Sequence, residues 1–342
     1  MEGTMKCAIY HGAKNITVEE RPIPQCGEKD VLVKVLSAGI CGSDVGIYVH
    51  GGESYGLQDG CQFGHEMVGK IVEKGAEVAD DLNIGDIVFV EPILSQKYGV
   101  GGSVMAGAFS EYTLVENAQR DVNAYVLDKD INLDEAVLIE PVSVGTQGAV
   151  AVEPKIDEKV VVLGAGTIGL SAAAGLLARG LKNVAVVDRD EQRLEKAEKL
   201  GAIAINSTKC DLREALIEKF GAFPNYVPVP DVDMYVDAAG APALVEECFN
   251  YAREKTRYSI VSFLMKVELN GMVFLASQPH IYGSRGYEAS TIKEVKLLKR
   301  FFFIKTAFRY DMAGNDIHSS CQKAFIDNII KEFEHGFCYQ FR

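Results

Sequence analysis

Several features are scarce in this 342-residue chain, and each scarcity excludes a class of protein. No purely apolar run approaches the roughly 18 residues that cross a bilayer. Positive charge is in short supply. The 35 Lys and Arg residues face 48 Asp and Glu, which leaves a net charge of −13. An acidic surface repels phosphate backbones and anionic lipid headgroups, so neither nucleic acid nor a membrane is expected as the main partner. The cysteines, at 7, 26, 41, 61, 210, 248, 321 and 338, include no C-x-x-C pair and do not resemble a small disulfide framework. The start, Met1 to Lys6, has no apolar core and no cleavage site, so no secretory signal is read and a reducing, cytoplasmic setting is expected. Internal repeats and low-complexity tracts are also missing. What remains is 48% hydrophobic and 24% charged, the composition of a folded chain with room for two domains.

The first 150 residues read as β-rich. Val31 to Val35, Met67 to Val72 and Asp86 to Val90 are short β-branched runs, separated by punctuation at Gly75, Asp80-Asp81, Gly85-Asp86 and Glu91-Pro92. Close-set strands of this kind suggest an antiparallel, barrel-like fold. Near Leu133 helical spacing appears. From Val160 an alternating β/α pattern runs to about residue 280, with strands expected at Val160–Leu163, Val184–Val187, Met234–Val236 and Tyr258–Phe263. A charged amphipathic helix is expected from Asp190 to Leu200. Strands alternating with helices predict a parallel, doubly wound sheet. The fold class is therefore α/β.

Gly164-Ala165-Gly166-Thr167-Ile168-Gly169 is a G-x-G-x-x-G string, weak by itself. Its surroundings give it meaning. A buried strand precedes it, a helix rich in small residues follows, and a second strand ends in Asp188. Gly164 permits a tight turn, Gly166 lets a pyrophosphate approach the backbone, and Gly169 lets the helix pack on the strand. Thr167 and Ile168 open the helix, whose N-terminal N–H groups and dipole attract phosphate. Asp188 is suited to the adenosine ribose hydroxyls and repels a 2′-phosphate, which favours NAD over NADP. Arg189 keeps the second possibility open, because an arginine there can pair with a 2′-phosphate or stack on adenine. Arg193, one helical turn on, completes the expected cofactor set.

Four further residues have the chemistry of a metal site. Cys41 sits in a Gly-bracketed turn after an apolar strand, and His65-Glu66 follows Gly64. Glu140 precedes Pro141, which suits the first turn of a helix. Thiolate, imidazole and carboxylate make a catalytic zinc set with one open position. Taken singly, the same residues read as a core thiol, a hydrogen-bonded histidine and a surface charge.

The string Gly64-His65-Glu66-x2-Gly69-x5-Gly75-x2-Val78 resembles the signature of zinc-containing medium-chain dehydrogenases. Ala38 to Asp44, Gly85 to Val88 and Glu140-Pro141-Val142-Ser143-Val144 match that family in order and spacing, from residue 5 to about residue 290. The branch most resembled is the polyol (sorbitol-type) and threonine dehydrogenase group. The resemblance implies a GroES-like, zinc-bearing catalytic domain from 1–150 and 285–342, and a Rossmann domain from 151–284. It makes Cys41, His65 and Glu66 zinc ligands, with Glu140 beside the metal. Zinc there lowers an alcohol's pKa from about 16 toward 7, easing hydride transfer to a nicotinamide. Ser43 is the expected proton acceptor, and Tyr48 and His50 are further candidates. Homodimers or homotetramers are usual for the resemblance.

Three departures bear on substrate. The family often holds a second, structural zinc with four cysteines, but residues 93–109 contain none and are glycine-rich, so one zinc per chain and an altered lobe are expected. Gly46 and Ile47 stand where a histidine and a sorbitol-type aromatic are frequent. The segment Ile281 to Tyr287 fits the start of a return to the catalytic domain, with Arg285 and Tyr287 as candidate substrate contacts, ahead of Phe308-Arg309-Tyr310. The basic run Lys293, Lys296, Lys299, Arg300, Lys305 and Arg309 reads as a solvated helix face. The expected activity is NAD-linked interconversion of a secondary alcohol, polyol or sugar-derived, with its ketone. Threonine or a 2,3-diol is the alternative substrate. A zinc-free NADPH enone or quinone reductase, and a non-catalytic nucleotide-binding protein, are the competing classes.

Overall fold

The structure is a computed structural model, and it describes residues 1–53, 56–92, 107–225, 227–263, 266–297 and 338–340. It falls into two compact units, Met1–Glu140 with Tyr310–Arg342, and Pro141–Arg309.

The first unit is built from short strands whose apolar residues are buried. Strands β1 (Thr4–Tyr10) and β2 (Ile16–Pro22) form an antiparallel hairpin, and β1 also pairs with β4 (Cys61–Gln62). The larger sheet runs β17 (Cys338–Gln340), β3 (Val31–Gly39), β5 (Glu66–Lys74), β6 (Ile87–Val90), β8 (Ala124–Val126), and β7 (Tyr112–Val115) also pairs with β3. Alternation along β3 sends Val31, Val33 and Val35 into the main core with Phe63, Met67, Val88 and Phe109. Leu32 goes to the other face, against Met5, Ile23 and Leu114. The three β-branched runs read from the sequence are thus β3, β5 and β6. Helix α1 (Gly42–His50) leaves directly from the end of β3.

The second unit carries the alternating pattern. After α2 (Leu133–Ala136) of the first unit, α3 (Ile139–Val150) leads into β9 (Lys159–Leu163), α4 (Thr167–Ala178), β10 (Asn183–Asp188), α5 (Glu191–Leu200), β11 (Ile203–Asn206) and α6 (Leu212–Phe220). A ribbon of β12 (Ala222–Phe223) and β13 (Val229–Pro230) precedes β14 (Met234–Asp237), α7 (Pro242–Asn250), β15 (Arg257–Ile260), α8 (Gly271–Ser277), β16 (His280–Gly283) and α9 (Ala289–Leu297). The sheet order is β11-β10-β9-β14-β15-β16, every pair parallel. The charged helix expected at Asp190 begins at Glu191, because the Asp190 side chain caps it by accepting the Arg193 N–H at 3.1 Å. Gly201, at φ 96°, ends it in the left-handed conformation.

The divide between units falls in the first turn of α3, not after it. Residues 141–150 stay with the second unit because small residues let α3 pack closely: a Cβ on Gly175 of α4 would lie 2.9 Å from Thr146 Oγ1. Ile281–Gly283, read above as opening the return, pair instead with β15 as the sixth strand. Residues 285–297 also remain there, where Thr291 Oγ1 donates to Gln147 Oε1 at 2.5 Å and Arg179 pairs with Glu294 at 2.5 Å. Of the altered lobe at 93–109, residues 93–106 lie outside the described residues, as do Lys299 to Tyr310. No helix among the described residues is long and apolar enough to cross a membrane.

Candidate metal centre and dinucleotide turn

Strand register assembles the metal centre. Gly39 of β3 pairs with Glu66 of β5, which places His65 and Glu66 beside the point where β3 gives way to Cys41. A side chain at Gly39 would collide with the Glu66 carboxylate, so the glycine provides the room that carboxylate occupies. One ligand atom each from Cys41, His65 and Glu66 lies within 4.8 Å of the others. His65 and Glu66 are buried and Cys41 is half-buried.

Asp44, buried in the first turn of α1, braces this set. Its Oδ2 accepts the Cys41 N–H at 2.8 Å, and its Oδ1 stands 3.6 Å from His65 Nδ1. Burial alone pushes the His65 imidazole down, but the Asp44 carboxylate and the Cys41 sulfur outweigh it and hold the ring well above its usual value. A ring with Nδ1 turned to a carboxylate keeps Nε2 for a metal, the common arrangement around metal-binding histidines. The donor set fits zinc: one sulfur, one nitrogen and one carboxylate, three protein ligands leaving a position open. A buried carboxylate beside a thiol is costly without a cation to compensate it. Sequence reading did not single out Asp44 as a site residue. The signal was its position three residues after the helix-capping Cys41, the spacing of a capping box.

The other candidates distribute unevenly. Ser43 is buried at the Cys41 end of α1. Tyr48 is buried too, and its carbonyl accepts the Lys14 N–H at 2.6 Å. His50 is exposed in the last turn, seven residues and so about 10 Å along the axis from Ser43. Glu140 is buried in the first turn of α3 and lies outside the three-residue cluster. Arg285 and Tyr287 sit between β16 and α9 in the second unit, Arg285 exposed and Tyr287 half-buried.

In that unit the glycines take the backbone geometry their spacing implies. Gly164 takes φ 100°, and a Cβ there would come within 3.0 Å of the Ala239 backbone. A Cβ on Gly169 would collide with the Gly164 carbonyl, so α4 could not start where it does. At Gly166, the residue capping α4, a Cβ would meet nothing within 4 Å. The open space above a helix N-terminus is the place for a pyrophosphate, with Thr167 and Ile168 in the first turn. Asp188 ends β10. Its Oδ2 accepts the Ala165 N–H at 2.6 Å, and its Oδ1 accepts those of Arg189 at 2.7 Å and Asp190 at 3.0 Å. Arg189 is exposed, and Arg193 has a buried Nε without a hydrogen-bond partner.

Comparison with known proteins agrees with this geometry. Residues 27–123 match the alcohol dehydrogenase GroES-like domain family, and residues 167–300 match the zinc-binding dehydrogenase family. Sorbitol dehydrogenase of Bacillus subtilis is 29% identical over 313 residues, covering 86% of each chain. The starvation-sensing protein RspB of Escherichia coli K12 is 31% identical over 276 residues, covering 76% of this chain and 77% of that one. Among solved structures, an alcohol dehydrogenase (RspB) of E. coli CFT073 complexed with cofactor NADH superposes with a TM-score of 0.76 at 28% identity, over 99% of this chain and 98% of that chain. The 2R,3R-butanediol dehydrogenase of B. subtilis superposes at 0.74 with 23% identity, over 98% and 99%, a likeness of fold alone. With a GroES-like unit, a parallel Rossmann sheet and these matches along most of its length, the chain belongs to the zinc-containing medium-chain dehydrogenases, in their polyol and threonine dehydrogenase branch.

Proposed function

We propose that this enzyme is a zinc-dependent, NAD-preferring dehydrogenase of secondary alcohols, acting on a polyol or sugar-derived alcohol and the corresponding ketone. The observation that carries the reading is the convergence of Cys41, His65 and Glu66 within 4.8 Å. These three residues would hold zinc, with Asp44 fixing the imidazole and Glu140 standing by as an exchangeable carboxylate. When bound, zinc supplies a Lewis acid that lowers the pKa of an alcohol hydroxyl toward neutrality. Ser43, buried two residues past Cys41, takes the proton, and Tyr48 and His50 lie further along the same helix as relays. The cofactor preference rests on Asp188. Three backbone donors fix its carboxylate, which still has lone pairs for ribose hydroxyls. Asp190 and Glu191 follow it, adding negative charge against a 2′-phosphate.

A 2,3-diol is the second substrate reading. It is favoured by a (R,R)-butanediol dehydrogenase of B. subtilis that is 27% identical over 322 residues, covering 87% of this chain and 89% of that one. Zinc analysis after mild purification, with a panel of polyols, 2,3-diols and threonine read by NADH absorbance, tests both. Polyol turnover by a protein holding about one zinc per chain supports the first reading. Zinc-free protein that reduces enones with NADPH overturns both.

The reading extends to assembly and location. Strand β16 closes one edge of the sheet with all four residues exposed. Phe263, Leu269, Met272, Phe274, Leu275, Ile281 and Tyr282 are all exposed in the same stretch of chain. At roughly 200 Å² for a whole large side chain, their exposed fractions amount to about 800 Å², what each partner buries in a standard interface. Residues 269–284 carry no Asp, Glu, Lys or Arg, so copies of an acidic chain can meet there without repulsion. A homodimer, alone or within a tetramer, fits this edge, and sedimentation measures it. Six described cysteines are free, in keeping with a reducing cytoplasm.

A further inference from the structure

We propose that Asp237 is a positioning residue for the nicotinamide half of the cofactor, a step that rests on the dinucleotide reading above. Between β9 and β14 the strand order reverses: β10 and β11 extend the sheet one way, β15 and β16 the other. Dinucleotides lie across the crevice at the carboxyl ends of such strands, one mononucleotide to each half. In the first half, Asp188 at the end of β10 ties that strand to the turn after β9 through the Ala165 N–H.

The second half repeats the device. Asp237 is the last residue of β14 and is 2% exposed. Its Oδ1 accepts the N–H groups of Ala239 and Gly240, each at 3.2 Å, and its Oδ2 accepts the Ser262 hydroxyl. Ser262 lies just past β15, and its N–H donates to the Asp237 carbonyl at 3.1 Å. One buried carboxylate thus staples the turn 238–240 to the end of the neighbouring strand.

That turn forms the far lip of the crevice. Ala239 is exposed above the buried carboxylate, and the turn abuts the glycine-rich one, since a Cβ on Gly164 would come 3.1 Å from Ala239 Cβ. Ala238, Ala239, Gly240 and Ala241 keep the lip thin, so its backbone can approach a ligand closely. Burying a carboxylate is costly unless donors satisfy it, and here three do. Freeing the turn would therefore loosen the second mononucleotide site and leave the Asp188 side intact.

The test compares two ligands on the full-length enzyme with its metal. AMP occupies only the adenosine half, whereas NADH spans both. For Asp237→Ala, NADH affinity is expected to fall about tenfold while AMP affinity stays within about twofold. Asp237→Asn, which keeps an acceptor for Ala239 and Gly240, should recover most of the loss. Ser262→Ala should show the same selective weakening to a lesser degree, and it serves if Asp237→Ala does not fold. Equal weakening of both ligands would make the carboxylate merely structural and overturn the proposal, as would unchanged NADH binding in both alanine variants. If wild-type enzyme binds neither AMP nor NADH, it is the dinucleotide reading that fails.

Discussion

The two halves of the chemistry are built on opposite plans. In the second unit, the glycine turn and the acidic strand end expected at the adenosine half of the cofactor lie in one unbroken stretch, from Gly164 to Asp188, and local conformation places them. In the first unit, Cys41 and the His65-Glu66 pair are far apart in sequence and meet only because β3 and β5 pair in one register. A one-residue slip would turn Glu66 to the other face of its strand. A contiguous motif tolerates errors elsewhere in the fold, whereas a register-built site does not.

The largest expected effect separates the halves directly. Cys41→Ala should lower alcohol oxidation by about three orders of magnitude or more while NADH binding, followed by fluorescence, is unchanged. Substantial residual activity would show that the cluster does not carry the chemistry. Next come two glycines with the same steric problem. Gly39→Ala drives a methyl into Glu66 and should deplete zinc with little effect on NADH affinity. Gly169→Ala drives one into the Gly164 carbonyl and should abolish NADH binding, at a cost of about 1–3 kcal/mol in thermal unfolding, while zinc is retained. If each variant lost both ligands, the contrast would not hold.

A smaller effect is expected at Asp44, which supports the metal ligands from behind. Asp44→Asn should weaken zinc binding about 10–100-fold. Its pH dependence sharpens the point. His65 binds a proton above its usual pKa when no metal is present, so zinc must displace that proton and affinity should fall as pH drops through the raised value. Losing the Asp44 charge lowers the His65 pKa, so in the variant this loss should begin at lower pH. Zinc titration against a chromogenic chelator from pH 5 to 8 measures both.

The smallest effect is a surface pair far from the motifs. His11 contacts Asp59 at 2.5 Å and Glu19 at 2.6 Å, which raises its pKa and lowers that of Glu19. The His11 contribution is full below its unfolded value near 6.5 and lost as pH rises through the folded value. The Glu19 contribution is full above about 4.5 and lost as pH falls through its folded value. His11→Gln should therefore cost less than about 1 kcal/mol, between those limits, and nothing at high pH, by chemical denaturation.

How much was legible follows from the same contrast. Gly164, Gly166, Gly169 and Asp188 could be read because each need is local: a positive φ, an open helix N-terminus, a carboxylate at a strand end. The charged helix after Asp188 and the strands around it were visible for the same reason, though not that Asp190 caps the helix. Asp44 was not, because its value lies in facing a histidine twenty-one residues away, and Asp237 was not, because its partner Ser262 belongs to the next strand. β16 was missed as a strand of this sheet because an exposed edge carries no alternation of buried and exposed residues.

The sequence by itself determined the class of fold, the cofactor turn and the kinds of ligand atom available to a metal, since these depend on backbone geometry and residue chemistry within a few positions. Only the tertiary structure decided that Cys41, His65 and Glu66 converge, that Gly39 makes room for the carboxylate, and that Asp44 and Asp237 stand behind the two sites. Those outcomes depend on strand register and on which turns touch, and no short stretch of chain encodes either.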